Sequence, residues 1–183
     1  LVTRVDELTR TREMMLEEAA ALQAAGVRAA ESVPIGVMIE TPAAVVVADL
    51  LAATSAFFSV GTNDLTQYTL AVDRGNARLA ARFTPLDPAI VRQLRTIQAV
   101  GSAAGLPVSV CGEMASDPLG AVLLIGLGYR QLSVSPPAIP LIKWLLRTVP
   151  ESAARRAADN ALDASDTAGV VAALREGMRG HVD

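Results

Sequence analysis

The chain has 183 residues, is 51% hydrophobic but only 3% aromatic, and carries a formal charge of −3. That balance excludes an intrinsically disordered chain and leaves no basic footprint for a nucleic-acid backbone. Its longest apolar runs, 43–47 and 121–127, fall far short of the ~20 residues of a membrane span.

A single cysteine, Cys111, rules out an intrachain disulfide framework and fits a reducing cytoplasm. No basic-then-apolar leader opens the sequence. It begins at Leu1 rather than Met, so a longer parent protein is expected.

In chain order, Leu8, Met15, Leu16, Ala19 and Leu22 recur at helical spacing among Arg and Glu, predicting an amphipathic helix over 4–25 that ends at Gly26. A short apolar strand over 35–39 follows. Thr41-Pro42 then supplies a cap and a first-turn proline for a helix over about 43–53. The alternation continues with a strand over 57–60, a helix over 88–104, a strand over 107–110, a helix capped by Asp117 through 127, and a strand over 131–134. The next helix spans about 137–147, with Trp144, Leu141, Leu145 and Leu146 as its buried face, and an Ala-rich, charged helix pair fills 151–183.

Strands that are apolar throughout and alternate with helices predict parallel β/α units covered on both sides. About four units are half of the eight that close a (β/α)₈ barrel of roughly 250 residues. The count permits either an open doubly wound sheet or half a barrel. No G-x-G-x-x-G follows the first strand, which removes the main dinucleotide-binding signature.

Polar groups collect where strands end: Glu40 after Ile39, Asn63 and Asp64 after the Phe57 strand, Cys111 after Val110, and Ser135 after Val134. In parallel β/α architectures that edge binds ligands. Glu40 and Asp64 form a carboxylate pair suited to Mg²⁺, whose remaining positions water and substrate oxygens would fill. The alternative is that each caps a helix or pairs with an arginine. Arg74, in "AVDRGN", has the planar fork that suits phosphate, with Asp73 able to hold it, although an isolated loop arginine is usually solvated.

Cys111 is either a small buried hydrophobe or a proton donor, since a free thiol with a pKa of about 8.5 is mostly protonated at neutral pH. Glu113 either orients it or is exposed. The lone histidine, His181, reads as an exposed tail residue, and Met14, Met15, Met38, Met114 and Met178 read as packing.

In order and spacing, "IGVMIETPAAVVVADLL", "FFSVGTNDLTQYTLAVDRGN", "VSVCGEMASDPLGAVLLIGLG" and "LSVSPPAIPLIK" resemble the phosphoenolpyruvate-binding domain of Enzyme I of the bacterial sugar phosphotransferase system. The match runs over about 35–143. The resemblance implies an α/β fold, the carboxyl-terminal half of a (β/α)₈ TIM-type barrel with flanking helices. Residues 1–150 would be the partial barrel and 151–183 a helical extension of the same domain.

It further implies Glu40 and Asp64 as Mg²⁺ ligands, and Asn63, Asp64 and Arg74 as substrate-binding residues, with Asn63 and Arg74 on the phosphate. Cys111 would be the catalytic proton donor to the enolate. The implied reaction transfers the phosphoryl group of phosphoenolpyruvate to a histidine on a domain outside this chain and releases pyruvate. A phosphocarrier protein then becomes the partner through that domain, and a cytoplasmic homodimer the expected state. Pyruvate phosphate dikinases and phosphoenolpyruvate synthases share similar strings and remain an alternative. So does a non-catalytic half-barrel that pairs through its open sheet edges.

Overall fold

A computed structural model describes every residue except Glu31, Arg74, Ala77 and Asp183, and all side chains of the rest but that of Ala81. The first helix, α1, spans Val5–Ala24, with the Glu7 side chain accepting from the backbone N–H of Arg4 at 2.9 Å. Strand β1 (Val37–Ile39) leads into Thr41, whose Oγ1 accepts from Ala44 N–H at 3.1 Å and so starts α2 (Pro42–Val46). The helix expected over 43–53 is divided at Val47, and its second half is α3 (Ala48–Ala52).

After β2 (Phe58–Gly61) the chain enters α4 (Thr62–Leu70) at once. The long helix α5 (Pro88–Ala103), capped by Asp87, returns to β3 (Val108–Cys111). A single turn, α6 (Glu113–Ser116), precedes α7 (Pro118–Gly126), whose predicted cap Asp117 accepts from Gly120 N–H at 2.9 Å. Then come β4 (Gln131–Leu132), α8 (Ile139–Thr148), α9 (Glu151–Asp163) and α10 (Thr167–Met178).

The four strands are parallel and lie in chain order, β1-β2-β3-β4. A doubly wound sheet reverses its strand order at a switch point, and this one does not. The arrangement is a singly wound arc, consistent with part of an α/β barrel.

One expectation is corrected here: the sheet is covered on one face, not two. Val37, Ile39, Phe58, Val60, Val108 and Val110 are buried, whereas Met38 and Gln131 are exposed and Ser59 and Ser109 half-buried. These last four stand in one cross-strand row, since Met38 pairs with Ser59 and Ser109 with Gln131. The covering helix α5 approaches closely enough that a Cβ on Gly101 would collide with Val108. The fully buried Tyr129 donates its hydroxyl to the Leu94 carbonyl at 2.8 Å, joining the turn before β4 to α5. Burial pushes the Tyr129 phenol far above its ordinary value.

Three smaller readings change. In α8 the buried residues are Ile142 and Leu145, whereas Trp144, Leu141 and Leu146 are exposed. Met114 packs in the core, but Met14, Met15 and Met38 are exposed. His181 is half-buried, with its backbone N–H donating to the Met178 carbonyl.

Candidate functional site

Glu40 directly follows β1, and Gly61 and Cys111 end the adjacent strands β2 and β3, paired to each other in register. Gly61 is buried, and its missing side chain is what lets Glu40 lie across the end of β2. A Cβ there would stand 2.8 Å from Glu40 Oε2 and 2.9 Å from Glu40 Cβ. Glu40 lies beside Asp64, in the first turn of α4, near enough for the two carboxyl groups to interact. Burial, and then the neighbouring Asp64 charge, raise the Glu40 carboxyl above its ordinary value.

Such a pair suits a hard divalent cation, which would cancel the repulsion between the two carboxylates. Two carboxylates leave room for water and substrate oxygens. No cluster of three or more His, Cys, Asp or Glu side chains able to hold a metal occurs among the described residues. The pair fits the chemistry of a Mg²⁺ that takes its remaining ligands from water and substrate oxygens.

Asn63 and Asp64, expected after the Phe57 strand, lie in the first turn of α4. Asn63 Oδ1 accepts from Glu113 N–H at 3.2 Å, which orients the side-chain amide and leaves its NH₂ as the donor on the other side. Glu113 is exposed and is tied to the site through its backbone. Beside it, Gly112 has φ +101°, in the left-handed region, and a Cβ there would run into Thr62 Oγ1. Glycine is required on both counts.

Cys111 is half-buried, with Sγ 3.4 Å from the Val60 carbonyl. The predicted arginine, Arg74, lies outside the described residues. Its neighbour Asp73 accepts from Gly75 N–H at 2.8 Å, the geometry of a tight polar turn.

A cleft of about 770 Å³ opens next to this edge. Asn63, Gly112, Leu86, Ser116, Ser135 and Val171 are among its lining residues, whereas Glu40, Asp64 and Cys111 are not. Asn63 is the predicted site residue that faces it. Sequence reading missed Gly61, Thr62 and Gly112; the available signal was two glycines at consecutive strand ends, where a strand interior would disfavour them.

The family model for the phosphoenolpyruvate-binding domain of phosphoenolpyruvate-utilising enzymes matches residues 1–150. Over 181 residues the chain is 44% identical to a multiphosphoryl transfer protein of Xanthomonas campestris pv. campestris, covering 99% of this chain and 21% of that protein. It is 38% identical over 171 residues to the phosphoenolpyruvate-protein phosphotransferase of Listeria monocytogenes, covering 93% of this chain and 30% of that protein. The corresponding protein of Borreliella burgdorferi is 44% identical over 126 residues, 69% of this chain and 22% of its own length. The chain thus spans less than a third of the length of these relatives.

Proposed function

The chain belongs to the family of phosphoenolpyruvate-binding domains of phosphoenolpyruvate-utilising enzymes, and from that premise we propose that it is the phosphoenolpyruvate-binding portion of a phosphoenolpyruvate-protein phosphotransferase. Residues 1–150 form the partial (β/α)₈ barrel and 151–183 its helical extension. The single observation that carries the reading is the adjacent Glu40–Asp64 carboxyl pair at the strand edge that also bears Asn63 and Cys111.

In this reading Glu40 and Asp64 hold Mg²⁺, which when bound supplies a positive charge beside the oxygen that becomes the enolate. The Asn63 NH₂ and the Arg74 guanidinium hold the phosphate oxygens. The bond between phosphorus and the enol oxygen breaks, and the phosphoryl group passes to a histidine outside this chain. The electron pair left on the enolate takes the proton of the Cys111 thiol at the methylene carbon, giving pyruvate and a thiolate. In reverse, the thiolate removes that proton. Positioning and charge compensation account for most of the catalysis of such transfers.

The proposal extends to a cytoplasmic homodimer of the sugar phosphotransferase system, with a phosphocarrier protein as the downstream partner. The names of the relatives support the transfer of a phosphoryl group to a protein. No described helix is long and apolar enough to cross a membrane. A second reading, a half-barrel that acts through its sheet edges without turnover, draws on the outer strands β1 and β4, each paired on one side only among the described residues.

Titration calorimetry separates the two. Oxalate, an enolate mimic, should bind only in the presence of Mg²⁺, and Asp64→Ala should abolish the heat. Absence of any Mg²⁺-dependent heat in the unsubstituted protein would overturn the catalytic assignment.

A further inference from the structure

We infer that Thr62 is a positioning residue for the Cys111 thiol, because its buried hydroxyl holds the peptide carbonyl of the residue that carries the sulfur. The inference rests on the proposed role of Cys111 as the proton donor. The link between the two residues can nevertheless be tested without that role.

The argument starts from the β2–β3 ladder. In a parallel pair, each residue that faces its neighbour both donates and accepts, so successive rungs fall two residues apart. Phe58 N–H takes the Pro107 carbonyl at 2.9 Å. Continued through the register Phe58↔Val108 to Gly61↔Cys111, the series brings the Cys111 carbonyl to Thr62. At Thr62 the chain has already turned into α4. The side chain takes over, and Thr62 Oγ1 donates to the Cys111 carbonyl at 2.9 Å.

Three further observations make this a clamp rather than a passing contact. Thr62 is fully buried, so its hydroxyl lacks the competition with water that weakens exposed hydrogen bonds. The next turn of α4 fixes Thr62 in turn, because the fully buried Thr66 donates its hydroxyl to the Thr62 carbonyl at 2.7 Å. On the other side of the same peptide, Gly112 adopts φ +101° with Thr62 Oγ1 filling the space where a Cβ would stand. The Cys111–Gly112 peptide is therefore gripped at its oxygen and seated against the same hydroxyl.

That peptide's plane sets the backbone torsion of Cys111, and with it the direction of the thiol. The sulfur lies 3.4 Å from the Val60 carbonyl, placed to give its proton there. Thr62 also immediately precedes Asn63 and Asp64. One residue thus ties the proton-donating sulfur to the segment proposed to hold metal and phosphate.

Cys111 is the sole cysteine of the chain, so alkylation by iodoacetamide reports on it alone. Thr62→Val should alkylate at least about threefold faster at fixed pH and displace the rate-against-pH profile, because one hydrogen bond is lost and the thiol leaves Val60. Thr62→Ser, which keeps the hydroxyl, should overlay the unsubstituted protein. A Thr62→Val profile identical to that of the unsubstituted protein, or a Thr62→Ser profile displaced as far as that of Thr62→Val, overturns the inference.

Should Thr62→Val fail to fold, the unsubstituted protein still decides the matter. Its Thr62 hydroxyl proton should be protected from solvent exchange and visible by NMR, and a freely exchanging hydroxyl sinks the clamp. None of these readouts requires phosphoenolpyruvate. Failure of Mg²⁺-dependent oxalate binding would remove the catalytic reading while leaving the Thr62–Cys111 link intact.

Discussion

The Glu40 carboxyl lies beside that of Asp64, from the next β/α unit, and burial and then the Asp64 charge raise it above its ordinary value. The contact makes the metal-free protein pH-sensitive in a definite direction. Below about 4.5, the ordinary glutamate value, Glu40 is protonated folded or unfolded. Above it, the unfolded chain gives up the proton while the folded protein retains it. The folded state then binds more protons, and stability falls as pH rises through the raised Glu40 value.

Thermal unfolding between pH 4 and 8 should show this decline without Mg²⁺, and Glu40→Gln should flatten it. Mg²⁺ requires both carboxylates ionised, so its stabilising effect should grow with pH over the same range. A metal-free profile that rises through this window in a Glu40-dependent way would contradict the pairing.

Gly61→Ala tests how that pair is seated. The added methyl would meet Glu40 Oε2 and Glu40 Cβ at under 3 Å, and the second of these cannot swing aside as a side-chain tip can. We expect a loss of about 1–3 kcal/mol, the usual cost of overpacking. Urea unfolding would give it as a lower midpoint with unchanged slope. The pH dependence assigned to Glu40 should weaken in the same variant, whereas a variant with the original pH profile would show that Gly61 does not seat the carboxylate.

The parts legible in sequence were those with a local cause. Thr41 and Asp117 cap the helices expected of them because their side-chain oxygens reach a backbone N–H three residues on. The start of α4 was not legible, since Thr62, Asn63 and Asp64 are residue types that favour turns, and Gly61 gives no side-chain cap. The uncovered sheet face was only partly legible. Ser59 and Ser109 interrupt the apolar strands β2 and β3 at its positions, but in β1 Met38 looks as apolar as the buried Ile39. The Glu40–Asp64 contact depends on register between β1 and β2, which spacing along the chain does not encode.

Asn63 separates acceptor from donor within one side chain. Its Oδ1 holds Glu113 N–H, so Asn63→Asp keeps the acceptor and removes the NH₂. Stability should change by less than about 1 kcal/mol, as expected when a hydrogen bond is retained. Mg²⁺-dependent oxalate or phosphoenolpyruvate binding should weaken by about tenfold or more, because a donor is replaced by a negative charge facing an anion. Equal binding by the two proteins in calorimetry would remove Asn63 from the anion site.

Gly126→Ala provides the opposite separation, harming the scaffold while sparing the site. Gly126 ends α7, at the far end from Asp117 and Leu119, which line the cleft. A Cβ there would collide with the Ala154 carbonyl and stand 2.7 Å from Ala158 Cβ on α9. The α9 face is built from alanines 153, 154, 157, 158 and 161, all buried, so the two helices meet nearly backbone to backbone and have no side chain that can yield. The helices must separate, at a cost of about 1–3 kcal/mol in urea unfolding. Oxalate affinity with Mg²⁺ should stay within about twofold at temperatures where the variant is folded, as expected for sites without shared partners. A large affinity loss in the folded variant would mean that α7 and α9 help set the geometry of the strand edge, and the site would then extend well beyond the residues that touch the anion.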